Sequence, residues 1–302
     1  MGKKVFISYS HKQSEWVRDR LCPVLKAGGA EVLIDVKRFQ AGVAVHQQMD
    51  TTQDEAEIHL LVLSPDYLAS APCVHEMERA IALDPTFTNG FVLPVVRVSC
   101  ALPHGIRTPN PIYVNLMDDS AANQWDLVTT KCDADLGSSA ADWLRAREQV
   151  RDALVDGRSV NLVVQGEPNR KGLVGQLRED LGDLAVIDLA SGATAGRQSL
   201  ITEILHALGG RGQAQKPPND LRDLHHSIME AHGVVRLAFR HFDQVKSRVY
   251  KEDFYSALKH LVEERKLVLL IESRAPYATL LPATNSLSKV QMKTVELRGR
   301  KT

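Results

Sequence analysis

Three things are scarce in this 302-residue sequence: net charge, aromatic side chains and long apolar runs. Aromatics make up only 5% of the chain, so its cores must be built mainly from aliphatic side chains. No stretch approaches the roughly 18 consecutive apolar residues of a membrane-spanning helix. The short run Val5-Phe6-Ile7 behind Lys3-Lys4 is far too short for the core of a signal peptide. There are four cysteines, Cys22, Cys73, Cys100 and Cys132, all in the first half, and none form Cys-x-x-Cys. That pattern suits reduced thiols in a cytoplasmic protein better than a disulfide frame or a zinc site, and no metal is expected. Internal repeats and low-complexity tracts are absent.

Lys+Arg and Asp+Glu both number 37, a formal net charge of +0. A neutral total gives no argument for nucleic acid or an anionic membrane as partner. The zero is nevertheless a sum of unlike halves. Residues 1–135 carry 12 basic and 17 acidic side chains, and residues 136–302 carry 25 and 20. A net −5 followed by a net +5 points to two domains.

The first half alternates strand and helix signals. Lys4 to Tyr9 is a β-rich opening run. Val17, Leu21, Val24, Leu25 and Gly28 then fall on one helix face, and Gly28-Gly29 ends it. Glu31 to Asp35 reads as a second strand, followed by a polar loop over 36–45 and a weak helix ending near Glu57. Ile58 to Leu63 has the length and polarity of a buried parallel strand. Ser64-Pro65 opens a short turn over 65–69. Ser70 caps a new helix with Pro72 in its first turn and Cys73, Met77, Ala80 and Ile81 as its apolar stripe. Phe91–Val98 and Ile112–Asn115 read as further strands, and a last helix is expected near 121–131. Such alternation predicts a parallel sheet covered by helices, with function in loops beyond the carboxyl ends of the strands.

Four blocks follow in order: Val5-Phe6-Ile7-Ser8-Tyr9-Ser10, Ile34-Asp35 with Gly42, Leu63-Ser64-Pro65-Asp66-Tyr67-Leu68-Ala69-Ser70, and Cys73-Val74-His75-Glu76. Together, over about residues 1–135, they resemble a TIR domain of the NAD-cleaving, bacterial type. The resemblance implies a flavodoxin-like sheet, and a loop after the second strand (36–45) that takes part in TIR–TIR contacts. It also implies cleavage of NAD+ as substrate, with no cofactor. An essential glutamate stands at the Cys-x-x-Glu position, here Glu76. Many such enzymes carry tryptophan just before the cysteine; this chain has Ala71-Pro72 there, and Phe39 is the nearest substitute aromatic.

The chemistry needs little beyond one carboxylate. Nicotinamide is a good, uncharged leaving group, and the transition state resembles a ribosyl oxocarbenium ion. A single glutamate can orient the sugar and stabilise that charge. Ser8, Tyr9, Ser10 and His11 lie just past the first strand, Asp35, Lys37 and Phe39 past the second, and Ser64 past the third. In a parallel sheet these converge on one edge and, with Cys73, form the candidate substrate-binding set. Plainer readings stand beside these. Ser8, Asp35 and Ser64 are equally readable as strand-end caps, Cys73 as a small core residue, and His11, His46, His59 and His75 as satisfied or surface histidines. Glu78 is the internal control: same helix, same charge, no motif.

The second domain, 136–302, is expected to open with a helix at 140–155 and a strand at 160–164. That strand runs into Gly166-Glu-Pro-Asn-Arg-Lys171-Gly172-Leu173 and a helix over 172–181, the layout of a phosphate-binding loop. Gly166, Lys171 and Gly172 hold the glycine and lysine positions, but the order is Lys-Gly and no Ser or Thr follows to ligate magnesium. A strand at 234–239, a helix at 252–263, a strand at 266–271 and a last strand at 293–297 complete the pattern. In order and spacing this half resembles the core of STAND-type, AAA-like ATPases, without their helical lid and winged-helix parts. Arg240 and His241 stand where acids are expected, so the resemblance implies a degenerate P-loop fold, with Glu272 as a substitute acid or an ordinary strand-end charge.

The expectation is an α/β protein with a flavodoxin-like TIR domain (1–135) and a second P-loop-NTPase-like domain (136–302). Its expected activity is NAD+ glycohydrolase, with ADP-ribosyl cyclisation as a variant outcome. Self-association through TIR domains, with itself or other TIR proteins, is expected to activate it, in a setting of antiviral defence. A nucleotide-like ligand is the candidate partner of the second domain. The rival expectation is a non-enzymatic TIR adaptor.

Overall fold

The computed structural model describes residues 2–34, 53–165, 170–209, 221–245 and 247–299. The chain divides into two compact units, Met1–Leu144 and Arg145–Thr302.

In the first unit β1 (Lys4–Tyr9), β2 (Glu31–Leu33), β3 (Ile58–Leu63), β4 (Val92–Val96) and β5 (Val114–Asn115) form one sheet in the order β2-β1-β3-β4-β5. Every pair is parallel. This 2-1-3-4-5 order is the flavodoxin-like arrangement, whose switch point lies at the carboxyl ends of the first and third strands. All six residues of β3 are buried, as a central parallel strand requires. Pro94 interrupts β4 without penalty, because pairing with β5 begins only at Val95.

The helix after β1 is not uniform. It begins as α1 (Ser14–Trp16), widens into a π turn over Val17–Leu21, and resumes as α2 (Cys22–Ala27). Pro23 lacks the amide an α-helix needs, and just before it the Cys22 amide reaches back five residues to the Val17 carbonyl. Gly29, at φ 95°, makes the left-handed exit. At Gly28 a Cβ would lie 2.6 Å from that of Ala134, so the close approach of these two segments depends on glycine.

After β3, α3 (Pro65–Leu68) and α4 (Ala71–Leu83) are separate, as Pro72 dictates. Ser70 occupies the cap position but makes no side-chain cap bond. Pro72 has removed one of the two amides such a cap would serve. On the buried side of α4, which also holds Glu76, the side chains of Cys73, Met77 and Ala80 pack in a core with Leu61, Leu63, Tyr67, Val92 and Val96. The short α5 (His104–Arg107) and α6 (Ala122–Lys131) complete the covering. On α6, Trp125 stacks with Trp16, and its indole N–H donates to the Asp119 carbonyl.

α7 (Ala140–Val155) runs across the division between units. The second unit holds β6 (Val160–Gln165), α8 (Arg170–Leu181), β7 (Leu184–Asp188), α9 (Arg197–Ala207), α10 (Leu221–Glu230), β8 (Val235–Arg240), α11 (Ser247–Glu263), β9 (Leu267–Ser273), α12 (Tyr277–Leu280) and β10 (Lys293–Arg298). Its sheet is again fully parallel, in the order β10-β6-β9-β8-β7. The unit's first strand therefore lies between its last and its fourth. β7, α9 and α10 were not foreseen from the sequence. α8 starts at Arg170, so Lys171 and Gly172 belong to the first turn of the helix; Gly166 lies outside the described residues. Among the described residues no helix is long and apolar enough to cross a membrane. None of their His, Cys, Asp and Glu side chains gather in threes as a metal site would need. All four cysteines are free thiols.

Candidate active site in the first unit

The carboxyl ends of β1 and β3 and the start of α4 bring two of the expected residues, Ser8 and Glu76, together with Tyr67. Ser8 sits near the end of β1, its hydroxyl donating to a carboxylate oxygen of Glu76. Tyr67, from α3, lies 2.8 Å from the same hydroxyl. Ser8 and Tyr67 are fully buried and Glu76 is 6% exposed. Gln53 holds the backbone at this point, its amide donating to the Glu76 carbonyl at 2.9 Å. The Tyr67 phenol is pushed far above its usual range by burial, against the Ser8 hydrogen bond and with help from the charges of Glu76 and Cys73. It stays protonated and able to donate.

The helix register accounts for the choice of carboxylate. Positions 73, 76, 77 and 80 share the buried side of α4, whereas Glu78 is exposed.

Other expected residues have different places. Ser64 is fully buried; its hydroxyl accepts from the Tyr67 amide at 3.1 Å and donates to Gln13 Oε1 at 2.9 Å, so it works as the cap of α3. Ser10 is the cap of the single turn His11–Gln13, accepting from the Lys12 amide. His11 is exposed and Tyr9 half-buried. Cys73 is buried, its thiol 3.6 Å from the Tyr9 carbonyl. Asp35, Lys37 and Phe39 lie outside the described residues. Tyr67, Gln53 and Gln13 were not among the candidates. Tyr67 stood inside a quoted motif; nothing local marked the two glutamines.

In the second unit, a charged group closes the carboxyl ends of β7, β8 and β9. His241 Nδ1 lies 2.7 Å from Asp188 Oδ1, and Arg240 Nη1 lies 3.5 Å from Asp188 Oδ2. The His241 amide donates to Glu272 Oε2 at 3.0 Å. His241 takes a left-handed backbone, φ 53°. Burial tends to raise the Asp188 carboxyl, but the His241 hydrogen bond, the Ala190 amide and the nearby cations outweigh it and hold it below its usual value. Glu272, fully buried on β9, is a partner of this backbone.

Residues 5–128 match the TIR domain family, and the chain contains a TIR domain. Human Toll-like receptor 1 is 31% identical over 72 residues; the match covers 24% of this chain and 9% of the receptor's length. Among solved structures, the TIR domain of a Toll-related receptor from Hydra magnipapillata covers 42% of this chain and 96% of its own, at 17% identity and a TM-score of 0.38. The ORC1 protein of Aeropyrum pernix, solved in complex with DNA, covers 52% of this chain and 44% of its own, at 11% identity and a TM-score of 0.38.

Proposed function

We propose that the TIR domain is an NAD+ glycohydrolase with Glu76 as its catalytic carboxylate. What supports the reading is one arrangement: a glutamate in the Cys-x-x-Glu position, buried at the carboxyl edge of the sheet and hydrogen-bonded by Ser8. Carboxylates that are buried and specifically paired near such edges are the ones fitted for catalysis.

The reaction follows from that group. The bond between ribose C1′ and the nicotinamide nitrogen breaks, and its electron pair neutralises the pyridinium. Positive charge develops on the ribosyl ring, where the Glu76 carboxylate stabilises it. Water then forms the C1′–O bond and releases a proton, giving ADP-ribose; an adenine nitrogen attacking instead gives a cyclic product. Assembly of TIR domains would complete the site. The setting is cytoplasmic NAD+ depletion in defence, and the second unit supports assembly or takes an anionic, nucleotide-like ligand.

A second reading is a non-enzymatic TIR scaffold. It is favoured by Ala71 and Pro72, both exposed, where an aromatic would stack on the substrate. The two separate when the full chain is incubated with NAD+ over a range of protein concentrations and nicotinamide release is followed. Release that rises more steeply than linearly with concentration is expected. No release at any concentration sinks the enzyme reading and leaves the scaffold.

A further inference from the structure

The Glu76 carboxylate takes part in a chain of hydrogen bonds whose direction, with Glu76 ionised, is fixed by counting protons. An ionised carboxylate only accepts. The Ser8 hydroxyl has a single proton, and it goes to Glu76. At its 2.8 Å contact with Tyr67, Ser8 must therefore accept, and the phenol must donate. Tyr67 has no competing solvent, being fully buried among Leu61, Leu63, Met77 and Val96. The three groups come from β1, α3 and α4, and the separations of 59 and 68 residues exclude a local hydrogen-bonding accident.

We propose that Tyr67 is a positioning residue that acts through Ser8, a one-way relay Tyr67→Ser8→Glu76 that fixes the orientation of the Glu76 carboxylate. Without the phenol the Ser8 hydroxyl is free to turn, and its proton is shared between Glu76 and other acceptors. With it, the Ser8 oxygen is already occupied as an acceptor and its proton has one direction to point. Each donor in such a chain strengthens the next. The relevance of the relay to catalysis rests on the reading of Glu76 as the catalytic carboxylate, but its existence can be measured without substrate.

The test is carbon NMR on the full chain labelled at the glutamate carboxyl carbons, with the Glu76 signal identified by its loss in Glu76→Gln. Tyr67→Phe removes one oxygen and no packing volume. Losing a donor to the ionised form disfavours it, so the Glu76 titration moves to higher pH in Tyr67→Phe and further in Ser8→Ala. In the Ser8→Ala background, Tyr67→Phe adds nothing further. A Glu76 curve unchanged by Tyr67→Phe, or one shifted equally with Ser8 absent, overturns the relay. A measurement that leaves Tyr67 in place guards against a folding defect. With the tyrosine ring carbon bonded to oxygen labelled, the Tyr67 signal follows the Glu76 titration in the wild type and ceases to follow it in Ser8→Ala. A Tyr67 signal indifferent to Glu76 in the wild type overturns the relay as well. Absence of nicotinamide release would remove the proposed activity and leave these titrations standing; where release occurs, Tyr67→Phe lowers kcat with little change in KM.

Discussion

Glu76 and Glu78 stand two residues apart on one helix and end in opposite surroundings: Glu76 is 6% exposed beneath Ser8, and Glu78 faces solvent. Two residues turn an α-helix by about 200°, which is enough to separate a core face from a wet one. Glu78→Ala therefore shifts stability by no more than about 0.5 kcal/mol, the size of an ordinary surface change. It leaves nicotinamide release at the wild-type rate. Thermal melting and the release assay check the two halves of this prediction.

His59 makes the first unit sensitive to acid. It lies at 2% exposure on β3 with its Nδ1 unpartnered, edge-on to Phe6. Burial first, and then the Arg79 charge, lower its pKa from the ordinary value of 6.5, against an opposing pull from Asp54. The unfolded chain then binds a proton more readily than the folded one, so stability rises with pH across this window. Falling pH removes stability from about 6.5 downward, until the folded-state value is passed. His59→Leu abolishes that slope. All three tryptophans, at 16, 125 and 143, belong to the first unit, so urea titrations followed by tryptophan fluorescence at about pH 7.5 and pH 5.5 read it directly.

In the second unit, Arg147 and Asp180 form a two-pronged pair, Nε to Oδ2 at 2.7 Å and Nη2 to Oδ1 at 2.8 Å. Their side chains are only 4% and 13% exposed. Gln176 adds a third donor to Asp180. Removing Asp180 takes this two-pronged pairing from a buried guanidinium, so Asp180→Asn is expected to cost about 3–5 kcal/mol. The double replacement Arg147→Met with Asp180→Leu should cost far less, because no charge is then left buried. Denaturant unfolding followed by circular dichroism separates the two cases.

The carboxyl edge of the second sheet is occupied by its own side chains. Arg240 and His241 already pair with Asp188, and Glu272 already accepts from the His241 amide. A magnesium-bound nucleotide would have to displace these contacts. Added magnesium and ATP should produce no phosphate. Asp188, with its folded pKa depressed, contributes stability that is complete above its unfolded value of 3.8 and is lost as pH falls through the lower, folded value. Its contribution is therefore flat from neutrality down to about pH 5. Melting curves in that interval check it.

The first sheet was legible because its central strand β3 is a nearly continuous apolar run and its motif blocks keep their order. Pro72 alone predicted the break between α3 and α4. The π turn before Pro23 was equally written in the chain, yet an apolar stripe at helical spacing conceals a change of winding. β7 escaped notice because Leu184–Asp188 is short and follows directly on a helix, with only Gly182 as a stop. α10 carried a readable stripe, Leu221, Leu224 and Ile228, hidden among polar and histidine residues. In the site, Glu76 and Ser8 were marked by motif, but their contact was not. Tyr67 joins them across 59 residues, and such a bond leaves no trace in local spacing.

The central claim is tested most directly by comparing nicotinamide release from NAD+ by the wild-type chain and by Glu76→Gln, at equal, high protein concentration. The substitution keeps the shape of the side chain, exchanges one acceptor oxygen for an NH2 donor and removes the charge. Loss of the group that stabilises the ribosyl cation should lower the rate by about two to three orders of magnitude. Equal rates for the two proteins would contradict the account.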